Sequence, residues 1–389
     1  MNILYLPLSY YPYKGTAGAA IVSHEIINRL SKKNNVFVVL PGESRSKFII
    51  RNNLQVKMTF GKPESLTKIF PFSQVFEGIG DIKRFNPDVI ISQYHPSNLI
   101  SYAGRFLSKL EKCPLIVRSD DIYFVPFNRF SFISHFIHRL NYNVVSNSEL
   151  FLVNSTEHKS IIERIYGRRD GVIINPNGVD INRFNPNINS NDLKHKLGLD
   201  GKRVILYAGT LAWFYGLNIL PKVFSSVMRD MKEVVLVLVG LFGSSKEKRV
   251  LLHELHEYGV KENTLILPPI SYENIHKYIA IGDICLGTLC SYPINIGTVP
   301  TKVPQYMACG KPTIVSKRGV TKDLIIHKKT GIIFDRNKPE SLSEWIIRLL
   351  EDKNLCNKLG SSARNHVEKY YSWEKIISQL ETSIFEVAY

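Results

Sequence analysis

The strongest constraint on this chain is a strand–helix alternation that runs through its first half and restarts near residue 202. Residues 2–7 (NILYLP) read as a buried strand. A loop with Gly15 and Gly18 follows, then a helix carrying Val22, Ile26 and Leu30 on one face. Val36–Leu40, 88–92 (DVIIS), 114–118 (PLIVR), Phe151–Asn154 and Val172–Ile174 continue the strands. The second series comprises Val204–Ala208, Val234–Gly240, Thr264–Leu267, Ile284–Leu286, Pro312–Val315 and Gly331–Phe334, with helical segments such as Leu217–Met228 between them. Continuous apolar runs such as VVLVLV at 234–239 suit strands covered on both faces, so the expected class is α/β with parallel, doubly wound sheets.

Two domains are the expectation for 389 residues, since single cores stop growing well below that length. The turn-rich stretch 185–190 (NPNINS) is the best linker, dividing the chain into 1–184 and 185–371. A last helix from Trp373 carries Ile376, Ile377, Leu380 and Ile384 on an apolar face. Two such domains facing one another create a cleft, and in open α/β sheets ligands bind beyond the carboxyl ends of the strands. The chemistry is therefore sought in the loops that follow strands.

Charge narrows the partners. Lys and Arg number 50 against 34 Asp and Glu, a net charge of +16, which points to an anionic partner. The excess is even, +9 over residues 1–185 and +7 over 186–389, with no basic tail and no nucleic-acid motif, so a nucleic-acid binder is the weakest reading. Five cysteines without a CxxC pair argue against a disulfide framework or a structural zinc site and fit a reducing cytosol. The apolar N-terminus lacks a basic leader region and reads as the first strand. The longest uncharged run, Val204–Pro221, contains glycines and polar residues and reads as strand, loop and helix start, not a membrane span. Residues 127–142 (FNRFSFISHFIHRLNY) interleave apolar and basic side chains, which suits either a core helix or a segment lying on an anionic membrane.

Six loops could carry chemistry. Gly15 and Gly18 precede a helix and let a ligand approach the backbone, although a tight turn needs them equally. His95 follows DVIIS and could bind an acceptor or act as a base. Asp120 and Asp121 follow PLIVRS. A carboxylate there can take a proton from an attacking hydroxyl, or it can pair with Arg118 as a structural ion pair. Gly209-Thr210 and Gly240 follow the first two strands of the second half. Gly297-Thr298 leads into a helix on which Lys302 and Gln305 share a face, a cation and an amide suited to phosphate and sugar hydroxyls.

Taken in order, the glycine loop, NST at 154–156, NPNGVDINRF at 175–184, YAGTL at 207–211, YMACGKP at 306–312, TGIIF at 330–334 and YYSWEKI at 370–376 resemble the GT-B glycosyltransferases, in particular the family-4-like group. That resemblance covers nearly the whole chain. It implies two Rossmann-like domains, an N-terminal one for a glycan or lipid-linked acceptor and a C-terminal one for a nucleotide-sugar donor. It also implies a final helix, 372–389, returning to the first domain, a nucleobase seat near Ile270, and no bound metal. The charged hallmarks of retaining members are missing. Asp120 stands where a histidine is usual, Thr210 and Tyr215 where Arg and Lys are usual, and Gly297 and Gln305 where two glutamates are usual. Asp120 with Lys302-x-x-Gln305 is instead similar to the inverting, membrane-associated glucuronosyltransferase of xanthan synthesis. The expected function is then transfer of a sugar from a nucleotide diphosphate, a UDP-sugar such as UDP-glucuronic acid, in the cytoplasm or on the cytoplasmic membrane face. Asp120 is the general base, with Asp121 as the first alternative. Gly209, Thr210, Gly240, Ile270, Gly297, Thr298, Lys302 and Gln305 hold the donor, while Gly15, Gly18 and His95 serve the acceptor. A retaining transferase, a nucleotide-sugar 2-epimerase and a non-catalytic sugar-nucleotide-binding subunit are the rivals.

Overall fold

The structure, a computed structural model, describes residues 1–11, 18–41, 47–59, 72–95, 98–120, 132–290, 299–318 and 320–389. Along the first half the elements are β1 (Asn2–Leu6), α1 (Gly18–Leu30), β2 (Asn35–Pro41), β3 (Lys47–Arg51), β4 (Leu54–Thr59), α2 (Phe72–Phe85), β5 (Val89–Tyr94), α3 (Ile100–Glu111), β6 (Leu115–Ser119), α4 (Phe132–Asn147), β7 (Leu150–Val153), α5 (Thr156–Tyr166) and β8 (Val172–Ile174). Then come α6 (Asn191–Lys196), β9 (Arg203–Ala208), α7 (Leu220–Asp230), β10 (Val234–Val239), α8 (Ser245–Glu257), β11 (Thr264–Leu267), α9 (Ile275–Ala280), β12 (Ile284–Gly287), α10 (Lys302–Ala308), β13 (Thr313–Ser316), α11 (Thr321–Leu324), β14 (Ile332–Phe334), α12 (Glu340–Glu351), α13 (Lys353–Tyr370) and α14 (Trp373–Ala388).

The chain divides into two compact units. One holds Met1–Asn177, Ile296–Val299 and Trp373–Tyr389, the other Gly178–Asn295 and Pro300–Ser372. The division falls a few residues before the turn-rich stretch that composition singles out, because 178–184 is bound to the second unit. Val179 N–H donates to Tyr371 O (2.8 Å), Arg364 donates to Ile181 O and Phe184 O, and Phe184 packs beside Tyr272.

In the first unit the described strands form a sheet of order β3-β4-β2-β1-β5-β6-β7-β8. All neighbours are parallel except β3, which runs antiparallel to β4 with Ile49 opposite Val56. This edge hairpin adds one antiparallel strand to an otherwise parallel sheet. Its turn is Asn52-Asn53, with Asn52 at φ 47°, a left-handed conformation that asparagine tolerates. One face buries Leu4, Phe37, Ile90, Val117 and Phe151 beneath residues of α2, α3, α4 and α5. The other buries Tyr5, Val38, Ile91 and Ile116 with Ile26 and Ile27 of α1 and Trp373, Ile377 and Leu380 of α14. The C-terminal helix thus contributes to the first unit's core.

The second unit's sheet, in order β11-β10-β9-β12-β13-β14, is parallel throughout. β10 is buried at every position, which is why VVLVLV shows no polar alternation. Its helix α8 starts on a side-chain cap: Ser244 Oγ accepts from Glu247 N–H (3.2 Å) and donates to the Glu247 carboxylate (3.2 Å). No described helix is long and apolar enough to cross a membrane. All five cysteines are free thiols.

Candidate active site

In the first unit, Asp120 lies one residue past the carboxyl end of β6 and is 8% exposed. Strand register explains its surroundings. Gln93 on β5 pairs with Arg118 on β6, so both side chains point to the sheet face that α1 and α14 cover. Arg118 is 1% exposed and its Nε donates to Asp120 Oδ1 (3.0 Å). Three more of its donors are met by Asn175 Oδ1 (2.6 Å), Asn175 O (3.2 Å) and Asn177 Oδ1 (2.9 Å). Asn175 is itself oriented by α14, since its Nδ2 donates to Ile376 O (3.3 Å). A buried guanidinium needs several such acceptors to offset its desolvation.

The second carboxylate oxygen, Oδ2, accepts from Gln93 Nε2 (2.9 Å). Asn154 Nδ2 donates to the Asp120 carbonyl, and Asn154 Oδ1 meets His158 Nδ1 (3.0 Å). Burial, with the Arg118 charge adding to it, pulls His158 down to about 3, so it is a neutral ring at physiological pH. Ser155 caps α5 by accepting from His158 N–H (3.1 Å), which gives the NST run its local role. Burial raises the Tyr5 hydroxyl far above its ordinary range; it lies in the same electrostatic neighbourhood as Arg118 and Asp120. A carboxylate has about four lone-pair positions, and side chains of the described residues occupy two at Asp120.

In the second unit, the loops after β9 and β10 are stitched together. Gly209 N–H donates to Val239 O (2.8 Å) and Leu211 N–H to Leu241 O (2.7 Å). Gly209 and Gly240 have φ of 144° and 152°, and a Cβ on Gly240 would stand 1.8 Å from Gly209 O. Glycine is required there by close backbone approach. A Cβ on Gly209 would stand 2.7 Å from Lys302 Nζ. The Lys302 ammonium, on the first residue of α10, donates to Tyr207 Oη (2.6 Å), lies 3.8 Å from the Tyr207 ring centroid and 5.1 Å from that of Tyr215. Loss of water around it pulls the lysine down to about 7. Tyr306, four residues on, donates to Ala208 O (3.1 Å) and accepts from Ala208 N–H (2.8 Å), locking α10 to the end of β9.

Of the other sequence candidates, Gly18 is the first residue of α1 and His95 follows β5, its carbonyl accepting from Asn98 N–H (3.0 Å). Thr210 is exposed and its carbonyl accepts from Tyr207 Oη (2.9 Å), while Gln305 is partly exposed on α10 and Ile270 partly buried after β11. Gly15, Asp121, Gly297 and Thr298 lie outside the described residues. Sequence reasoning missed Gln93, His158, Asn175, Asn177, Tyr207 and Tyr306. Asn154, Asn175 and Asn177 sit inside the NST and NPNG runs, which was the available signal. Among the described residues no group of three or more His, Cys, Asp or Glu converges as metal ligands do.

Residues 189–366 match the family of glycosyl transferases group 1, and residues 16–183 match glycosyltransferase family 4. A putative glycosyltransferase, YtcC, of Bacillus subtilis is 28% identical over 237 residues, 58% of this chain and 56% of that protein. A D-inositol 3-phosphate glycosyltransferase of Xylanimonas cellulosilytica is 24% identical over 239 residues, 60% of this chain and 55% of that one. The chain thus spans little more than half the length of the curated relatives it matches. Anabaena HepE, solved in complex with UDP, superposes with a TM-score of 0.79 at 19% identity, covering 99% of this chain and 100% of that one. Sucrose-phosphate synthase of Thermosynechococcus elongatus gives 0.81 at 17% identity, covering 99% of each. At such identities these two structures establish a shared fold.

Proposed function

The chain belongs to the group 1 glycosyltransferases, with a family-4-like N-terminal domain on a GT-B fold, and from that premise we propose that it transfers a sugar from a nucleotide diphosphate to a hydroxyl of a glycan or lipid-linked acceptor. The observation that carries the chemistry is the Asp120 carboxylate, held on both oxygens at the carboxyl end of β6, where retaining members usually have histidine. In this reading Asp120 accepts the acceptor's hydroxyl proton as the oxygen bonds to the anomeric carbon. The bond from that carbon to the diphosphate breaks in the same displacement, so the configuration inverts. A positioned base of this kind contributes about 10²–10⁴-fold.

Lys302 neutralises the departing diphosphate, with Gln305 beside it and Gly209, Thr210 and Gly240 letting the ligand approach the backbone. The donor is read as a UDP-sugar: HepE was solved with UDP and with UDP-glucose, and the Lys302-x-x-Gln305 likeness suggests a uronic acid sugar. The neutralising charge comes from the lysine without a resident metal ion, so a chelator is expected to leave the rate unchanged. The test is transfer from a panel of UDP-sugars, with the product anomer read by NMR and Asp120→Asn alongside. Inverted product and a loss of at least a hundredfold in Asp120→Asn are expected. Retained configuration, or near-normal turnover of Asp120→Asn, refutes the assignment.

A further inference from the structure

We infer that Gln93 is a positioning residue for Asp120: its amide is oriented so that it can only donate to the carboxylate, and it thereby holds Asp120 in the charged form that takes the proton. The inference rests on the reading of Asp120 as the base.

The orientation of this amide follows from its partners. Gln93 is 3% exposed, and its Oε1 accepts from the Leu8 backbone N–H (2.6 Å). A backbone N–H has no acceptor capacity, so the oxygen must face Leu8 and the NH₂ group must face the other way. Nε2 then has two protons and two acceptors, Ser23 Oγ (2.9 Å) and Asp120 Oδ2 (2.9 Å). Ser23 is wholly buried and its hydroxyl donates to Ala19 O (3.0 Å), which leaves its lone pairs for Gln93. Every proton in the chain from Leu8 to Asp120 therefore points one way. Among the described residues, the charged and titratable groups facing Asp120 are Arg118 on β6, which donates to Oδ1, Tyr5 on β1, and His158 on α5, which acts through Asn154. Tyr5 and His158 are neutral there, and among the described residues Arg118 and Gln93 are the side chains that donate to the carboxylate.

A hydrogen bond to the ionised form, once removed, raises the pH at which a base is lost, by about one unit for a donor to a charged group. The experiment measures kcat/KM and donor KM against pH for the full chain and for Gln93→Met and Gln93→Glu, both close in length to glutamine. Asp120→Asn is run beside them. The expected result is an acid limb displaced upward by about one pH unit in Gln93→Met and further in Gln93→Glu, where a like charge replaces the donor. Donor KM and the rate above the limb stay near those of the parent. Either variant alone decides the question should the other fail to fold. An unmoved limb, or an equal loss of rate at every pH, overturns the inference and makes Gln93 a residue of the fold. Near-normal turnover of Asp120→Asn overturns the base assignment and this inference with it, whereas an inactive Asp120→Asn with unmoved Gln93 limbs overturns the inference alone.

Discussion

Donor affinity should depend on pH through Lys302. Its ammonium is enclosed by Tyr207, Tyr215 and the Gly209 backbone, and burial pulls it down to about 7, against the ordinary lysine range above 10. In the free protein the charged form is thus half-populated near neutrality and falls tenfold per pH unit above it. A diphosphate binds the charged form, so the apparent Kd carries the reciprocal of that fraction. The worked expectation is a Kd about tenfold weaker at pH 8 than at pH 6, or about 1.4 kcal/mol, with proton uptake on binding. A UDP-sugar is the right probe because its diphosphate is esterified at both ends and does not titrate in that window. The assay is calorimetry in buffers of different ionisation enthalpy. Lys302→Met should bind weakly and with a flat pH dependence. The sign extends to stability. The unfolded chain keeps the lysine proton that the folded state has shed, so the free protein should gain stability as pH rises from about 7 toward the ordinary lysine range. A Kd that does not change from pH 6 to 8, or a Lys302→Met variant as pH-sensitive as the parent, would refute the reasoning.

Two further outcomes follow. Arg118→Met strips the buried partner from Asp120 and should lower unfolding free energy by about 3–5 kcal/mol in urea titrations, whereas a loss below about 1 kcal/mol would mean that the pair is solvated. Phe136, Arg139 and Tyr142 are exposed along α4, and with a net charge of +16 the protein should bind anionic vesicles in a salt-sensitive way; equal partitioning onto neutral vesicles argues against a membrane role.

The candidate site was only partly legible beforehand. Asp120 and Lys302 were readable as types at strand and loop ends, because a charge placed there must be solvated or used. The alternative reading of Asp120, an ion pair with Arg118, is realised. Gln93 gave no signal: a glutamine in an apolar strand shows its meaning only once Ser23 and Leu8 are beside it. The same holds for Tyr207, which reads as one more apolar strand residue until the lysine 95 positions later lies over its ring. The β3–β4 hairpin went unread because a short edge pair with an Asn-Asn turn has too weak a period to stand out.

From the sequence alone come two parallel α/β halves, the positions of most strands and the loops that follow them. These depend on local periodicity and on the burial that each short run demands, information carried within a few neighbouring residues. The tertiary structure decided which polar groups meet. Arg118 finds its acceptors 57 and 59 residues away and Asp120 finds Gln93 across 27, while α14 reaches back to orient Asn175 across 201. Those pairings follow from strand order and register, which bring together side chains that no local pattern couples.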